Sequence, residues 1–80
     1  MASRHRTTRD PRREELRKLG ERLRAERLRL RLTQETLAGL LGISVAYVSL
    51  IERGARNPPY TTLVALARAL KVPSARLMPT

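Results

Sequence analysis

The sequence predicts an all-α fold, a compact bundle of about five short helices. Three observations lead there. Apolar residues recur at spacings of 3, 4 and 7 along most of the chain. No stretch alternates apolar and polar residues as a half-buried strand does. Serine, threonine, glycine and proline punctuate the periodic runs where helices start and stop. The 80 residues make one small domain. A chain of this size buries only about 60% of its unfolded surface, so its stability is modest without help. With no Cys, disulfides and thiolate metal sites are excluded, and His5 alone makes no metal site. Self-association remains as the route to added stability, and no cofactor is implied.

Residues 1–13, MASRHRTTRDPRR, lack apolar periodicity and read as a flexible basic N-terminal arm. Residues 14–80 read as the folded domain. From Glu14 to about Arg31 the residues are strong helix formers, with Leu16, Leu19, Leu23 and Leu30 on one face. Arg17, Lys18, Arg22, Arg24 and Arg29 fall mostly on other faces, and Pro11 stands just ahead of the helix. Thr33 is a good N-cap for helix two, which places Leu37, Ala38 and Leu41 inward and stops at Gly42. Ser44 caps helix three, which runs to about Arg53 with Val48 and Ile51 inward and Gly54 as its stop. The ARNPP loop follows. Helix four extends from about Tyr60 to Leu70 with an apolar stripe of Leu63, Leu66, Ala67 and Leu70, and Val72-Pro73 breaks it. Ser74 to Met78 supplies a last short turn. Helices two and three are joined by only a few residues, so residues 34–53 have the helix-turn-helix arrangement, whose second helix fits a DNA major groove about 12 Å wide.

Charge points the same way. The net charge is +10, and 15 of the 17 basic residues are Arg. Residues 1–31 carry +7 of it. A small domain this basic meets a polyanion more often than not. No apolar run approaches the ~20 residues of a membrane span, and the basic N-terminus is followed by no apolar segment, so it is not a secretory signal. A cytoplasmic, soluble protein without a membrane partner is the expectation. Catalysis needs a nucleophile, a base or a metal in a pocket. One His, no Cys and seven acidic residues, most beside Arg, offer none of these at a telling spacing, so the chain reads as no enzyme.

The segment LTQETLAGLLGISVAYVSLIERGARNPPYTTLVALARAL resembles the lambda-repressor-like helix-turn-helix family, the phage-repressor and Cro class. The likeness extends from about Leu19 to Met78. It rests on T-Q at the start of helix two, Leu37-Ala38, Gly42, Tyr47, Ile51-Glu52-Arg53-Gly54 and the following N-P, all in order. Each has a physical reason. Ala38 is small where helix three crosses helix two, Gly42 supplies positive φ in the turn, and Leu37, Leu41, Val48 and Ile51 fill the joint.

The resemblance implies a lambda-repressor-like DNA-binding domain and assigns roles by position. Gln34 matches a glutamine that holds a DNA phosphate through its side chain and backbone amide. Ser44, Val45, Ala46, Ser49 and Leu50 match groove-facing positions of the recognition helix, about 44–53. Tyr47, Arg56 and Asn57 match phosphate-contacting or phosphate-near positions, and Arg53 stands where it reaches a phosphate or base at the far end. Arg27 and Glu52 match an ion pair that links helix one to the recognition helix.

Departures matter as well. Arg31 and Lys71 replace glycines frequent at the ends of helices one and four, which speaks against left-handed C-caps there. Pro59 replaces the usual Ser cap of helix four, so that helix either begins slightly later or takes Pro into its first turn. Val45, Ala46 and Leu50 replace residues that are commonly polar readers.

The function implied is sequence-specific binding of double-stranded DNA by a transcriptional regulator, a repressor or autoregulator. It would act as a homodimer on a pseudo-palindromic operator. Leu70, Val72, Leu77 and Met78 are the candidate dimer patch; equally, they cap the monomer core. The length suggests a stand-alone DNA-binding domain without a ligand domain. The alternative is an antitoxin or restriction–modification controller that binds a toxin or other protein partner, represses its own operon, or does both. On the groove face, Val45, Ala46 and Leu50 suit thymine methyls, with hydroxyls on Ser44 and Ser49 beside them.

Overall fold

The computed structural model describes residues 11–78. Every regular element among them is helical: α1 (Pro11–Arg29), α2 (Gln34–Leu41), α3 (Val45–Glu52) and α4 (Tyr60–Ala69), followed by a 3₁₀ turn at Ser74–Arg76. The expected fifth helix is therefore only this turn. Pro73 enters it with φ −65°, and the three bonds Arg76 to Pro73, Leu77 to Ser74 and Met78 to Ala75, at 2.9–3.2 Å, all have i→i+3 spacing. α1 begins at Pro11, three residues before the expected start. Proline fits there because a first-turn N–H has no partner inside the helix. The rest of the expected arm, residues 1–10, lies outside the described residues.

The apolar stripes fall inward. Leu19 and Leu23 of α1, Leu37 and Ala38 of α2, Val48 and Ile51 of α3, and Leu63, Leu66, Ala67 and Leu70 at α4 form one core. α1 packs mainly on α3, and α3 packs on α2, with α2 and α3 meeting at 113°. Thr33 and Ser44 cap α2 and α3 as expected, accepting from the amides of Thr36 (2.9 Å) and Tyr47 (3.0 Å). Pro59 is itself the N-cap residue of α4, extended at ψ 160°, so that helix starts directly after it and has no side-chain cap.

Expectation fails at two helix ends. Arg31 (φ 59°) and Lys71 (φ 62°) are left-handed despite carrying Cβ. In both, the left-handed residue's amide bonds back three residues and the next amide bonds back five. These are Arg31 to Leu28 (2.9 Å) and Leu32 to Arg27 (3.1 Å), then Lys71 to Arg68 (3.1 Å) and Val72 to Ala67 (3.0 Å). Gly42 and Gly54 close α2 and α3 in the same way, so all four helices end in one motif. Leu32 and Val72, the residues just beyond, pack on the core. That packing and the two closing bonds outweigh a left-handed penalty of roughly 1–2 kcal/mol.

The segment after α4 folds back on α1. Leu70 and Leu77 have no exposed surface, so they belong to the monomer core and have nothing to offer a partner. Val72 is half-buried, and only Met78 of the four candidate dimer residues is exposed. Three α1 side chains hold this segment. Arg22 donates to the Met78 carbonyl (2.9 Å), Arg29 to that of Leu70 (3.5 Å), and Glu26 accepts from Arg76 (3.3 Å).

Lys71→Gly should relieve about 1 kcal/mol of left-handed strain and give up about 0.3–0.5 kcal/mol of charge–dipole attraction at the helix end. The expected result is a melting midpoint about 2–4 °C higher, while Lys71→Val, β-branched and poorly suited to positive φ, lowers it. Thermal unfolding followed by circular dichroism checks both, and an unmoved or lowered midpoint for Lys71→Gly contradicts the strain argument.

Candidate nucleic-acid interface

The position of α3 is set from both sides. On the α1 side, Gly20 is buried against the end of α3. A Cβ there would lie far inside contact distance of the Glu52 carbonyl oxygen and 2.6 Å from that of Ile51. Only glycine lets the two backbones meet this closely. Seven residues along the same stripe, Arg27 is buried and forms a two-point pair with Glu52: Nε to Oε2 at 2.6 Å, Nη2 to Oε1 at 3.0 Å. Its Nη1 donates to the Leu32 carbonyl at 2.7 Å. The hydrogen bond to Glu52, with the carboxylate charge behind it, raises the Arg27 pKa above its usual value, against the opposing effect of burial.

On the α2 side, Gln34 Nε2 donates to Glu52 Oε1 at 3.0 Å. Glu52 is thus held through its backbone by the approach of Gly20 and through its side chain by Arg27 and Gln34. The expected ion pair is present as a bond between side chains. The carboxamide of Gln34 is engaged with Glu52 in the free protein, which the sequence does not foretell.

α3 offers its outer face to solvent. Ser44 and Ala46 are exposed, Val45 is 37% exposed, and Ser49 and Leu50 are half-covered. The Ser44 oxygen accepts from the Tyr47 amide, which leaves its O–H as the group able to donate outward. Tyr47 leans on the core. Arg53, Arg56 and Asn57 are all exposed at the end of α3 and in the loop beyond it. The expected outward residues therefore lie on one contiguous stretch of chain at the α3 face, and Gln34 reaches that stretch through Glu52.

Two features were missed by sequence reasoning. The first is Gly20, a glycine that breaks the otherwise apolar Leu16–Leu30 stripe. That interruption was the available signal. The second is a groove between the first turns of α1 and the end of α3, lined by Arg12, Arg13, Arg17, Arg53 and Asn57. No periodicity points to it. Among the described residues no cluster of His, Cys, Asp or Glu is arranged to hold a metal, and no single helix is long and apolar enough to cross a membrane.

An all-helical domain with two short helices meeting at 113° around a left-handed glycine, the second helix open on one face, is a helix-turn-helix domain. The chain belongs to the helix-turn-helix domain family, which matches residues 18–78. It is 47% identical over 60 residues to the HTH-type transcriptional repressor RghR of Bacillus subtilis (strain 168), covering 74% of this chain and 44% of that protein. It is also 47% identical over 47 residues to the uncharacterized HTH-type transcriptional regulator y4dJ of Sinorhizobium fredii (strain NBRC 101917 / NGR234), covering 59% of this chain and 61% of that one. The chain thus spans about half the length of the curated relatives it matches. Among solved structures, it superposes on the restriction-modification controller protein C.AhdI from Aeromonas hydrophila with a TM-score of 0.79 and 42% identity, covering 81% of this chain and 98% of that one. The hypothetical transcription factor NHTF from Neisseria follows at 0.76 and 31%, covering 84% of this chain and 78% of that chain.

Removing one member of the buried pair strands the other. Glu52→Ala and Arg27→Ala should each lower unfolding free energy by about 3–5 kcal/mol. The double change Arg27→Met with Glu52→Leu should be less damaging than the two single changes added together, because it leaves no unpaired charge. Urea unfolding of the four proteins measures this, and additive losses would show that the pair is not coupled. Gly20→Ala should cost about 1–3 kcal/mol by overpacking the α1–α3 contact, read in the same assay; a neutral result would show that the two helices can separate freely.

Proposed function

We propose that this protein is a DNA-binding transcriptional regulator that recognises double-stranded operator DNA, with α3 in the major groove. One observation carries the reading above the others: a held recognition helix presents Ser44, Val45 and Ala46 outward beside a basic loop bearing Arg56 and Asn57. The repressor relative and the controller structure support the same class. The protein acts as a homodimer on a pseudo-palindrome whose half-sites lie about one helical turn apart.

On this reading the roles divide by chemistry. Val45, Ala46 and Leu50 are apolar and suit thymine methyls, while the Ser44 and Ser49 hydroxyls accept or donate at base edges. Without a bidentate reader in the first two turns, discrimination leans on methyl contacts and on DNA shape. Tyr47, Arg53, Arg56 and Asn57 serve the backbone, and affinity falls steeply with salt. Gln34 contributes its backbone amide at the α2 N-terminus, where an anion is favoured; its side chain reaches a phosphate only by sharing itself with, or leaving, Glu52.

A narrower form of this reading is a controller of a restriction–modification operon. It is favoured by the 42% identity to C.AhdI across 98% of that chain. A restriction endonuclease or DNA methyltransferase gene beside this one supports it, and a toxin gene there favours the antitoxin alternative instead.

Selection of bound sequences from a random duplex pool tests the main reading. Enrichment of a two-fold site with T-rich half-sites is expected, and no enrichment at low salt would sink it. Within the selected site, uracil in place of thymine should lower affinity at the positions under α3, by an amount that Leu50→Ala makes smaller. Arg56→Ala should weaken binding to all sequences about equally.

A further inference from the structure

A basic groove beside α3 is lined by four of the chain's arginines and by none of residues 44–50. It is an open space of about 720 Å³ between the first turns of α1 and the α3–α4 loop. Arg12, Arg13, Arg17, Arg53 and Asn57 line it, together with Leu16, Gly54 and Ala55. Arg17 is held by Glu14 and Glu21 at 2.6 Å each, on the exposed side of α1. Arg13 and Arg53 make no ion pair with any described residue. Arg13 and Arg53, brought to one groove without carboxylate partners, repel each other and are relieved by an anion with several acceptor oxygens. The planar guanidinium fork suits a phosphate group for that reason.

The geometry of the chain keeps this groove in place. Gly54 is left-handed at φ 76° and lies against α1, where an added Cβ would stand 3.0 Å from the Arg17 Cα. The close approach ties the loop carrying Arg56 and Asn57 to the arginine-bearing turns of α1. The groove shares Arg53 and Asn57 with the proposed backbone contact, and none of residues 44–50 lines it.

The geometry points to a phosphate site of the DNA backbone in this groove, formed by Arg13 and Arg53 with Arg12 and Arg17 beside them. It extends the interface beyond the half-site, onto the flanking phosphates, and makes the first turns of α1 part of the DNA surface. The inference rests on the DNA-binding reading above. The shared chemistry is phosphate oxygen, and a free polyphosphate is the competing source.

The test uses the full chain and its selected operator in two lengths, one with several flanking base pairs on each side and one blunt at the outer edges of the half-sites. For the parent, removing the flanks should lower affinity several-fold. Arg13→Gln should lower affinity on the long duplex, be insensitive to trimming, and show a log-affinity against log-salt slope shallower by about 0.9 for each phosphate that is no longer neutralised. Arg13→Lys should retain most of the slope, and Arg24→Gln, which removes an exposed charge elsewhere on α1, should behave as the parent. If Arg13→Gln keeps the parent's slope and its dependence on flanks, the groove does not touch DNA and the inference falls. If sodium tripolyphosphate binds the parent at micromolar concentration, loses that binding in Arg13→Gln, and flank length has no effect, the groove is a free-anion site and the inference also falls. Failure to select any operator is a different result, which overturns the DNA reading itself.

Discussion

Glu52 is the residue on which the arrangement of the helices depends. Its carbonyl oxygen is approached by Gly20, and its carboxylate is bonded by Arg27 from α1 and Gln34 from α2. One residue at the end of α3 thereby fixes that helix to both neighbours. A buried carboxylate is tolerable only because three donors surround it, and the close backbone approach is possible only because position 20 lacks a side chain. A recognition helix two turns long has little rigidity of its own. Its aim comes from these contacts rather than from its own hydrogen bonds.

The remaining framework follows from how the helices end. Each closes with the same pair of backbone bonds, so each connection leaves in a defined direction, and after α1, α2 and α4 the next residue, Leu32, Ile43 or Val72, packs back on the core. Glycine does this without strain at Gly42 and Gly54; Arg31 and Lys71 do it against a steric penalty. A small domain gains from satisfying every helix end in this way, since it has few buried residues with which to offset loose ones. The same economy shows in the segment after α4, which folds back to seal the core with Leu77 and is pinned to α1 by Arg22, Arg29 and Glu26.

The charges divide into those that hold the fold and those that are free to meet a partner. Arg27 is wholly occupied by Glu52 and the Leu32 carbonyl; Arg22 and Arg29 hold the chain's own carbonyls. Arg13, Arg53 and Arg56 have no such duty among the described residues. The free set lies near the end of α3, beside an outer α3 face that is mostly apolar and hydroxylic. Affinity from the backbone and discrimination from methyls and shape are consistent with that division.

The helical periodicity, the two capped starts at Thr33 and Ser44, and the glycine stop at Gly42 were legible in the sequence because each is a local event with a local cause. The Arg27–Glu52 pair came from resemblance, though a charge on the Leu16–Leu30 stripe was a visible sign of burial. Local reasoning failed where distant parts of the chain decide. Residue preference alone disfavours positive φ at Arg31 and Lys71, yet packing of Leu32 and Val72 imposes it. The sequence leaves Leu70 and Leu77 equally suited to a partner or to the monomer core, and only the fold of the segment onto α1 buries them there. Gly20 shows in the sequence only as a break in an apolar stripe until the end of α3 arrives against it, and the arginine groove forms where Gly54 brings the loop to α1. The sequence by itself determined which segments are helical and which face of each is apolar, since both depend on neighbours within a few residues. The tertiary structure decided which polar residues are spent inside and which stay free, since that depends on contacts between residues 18 or more positions apart.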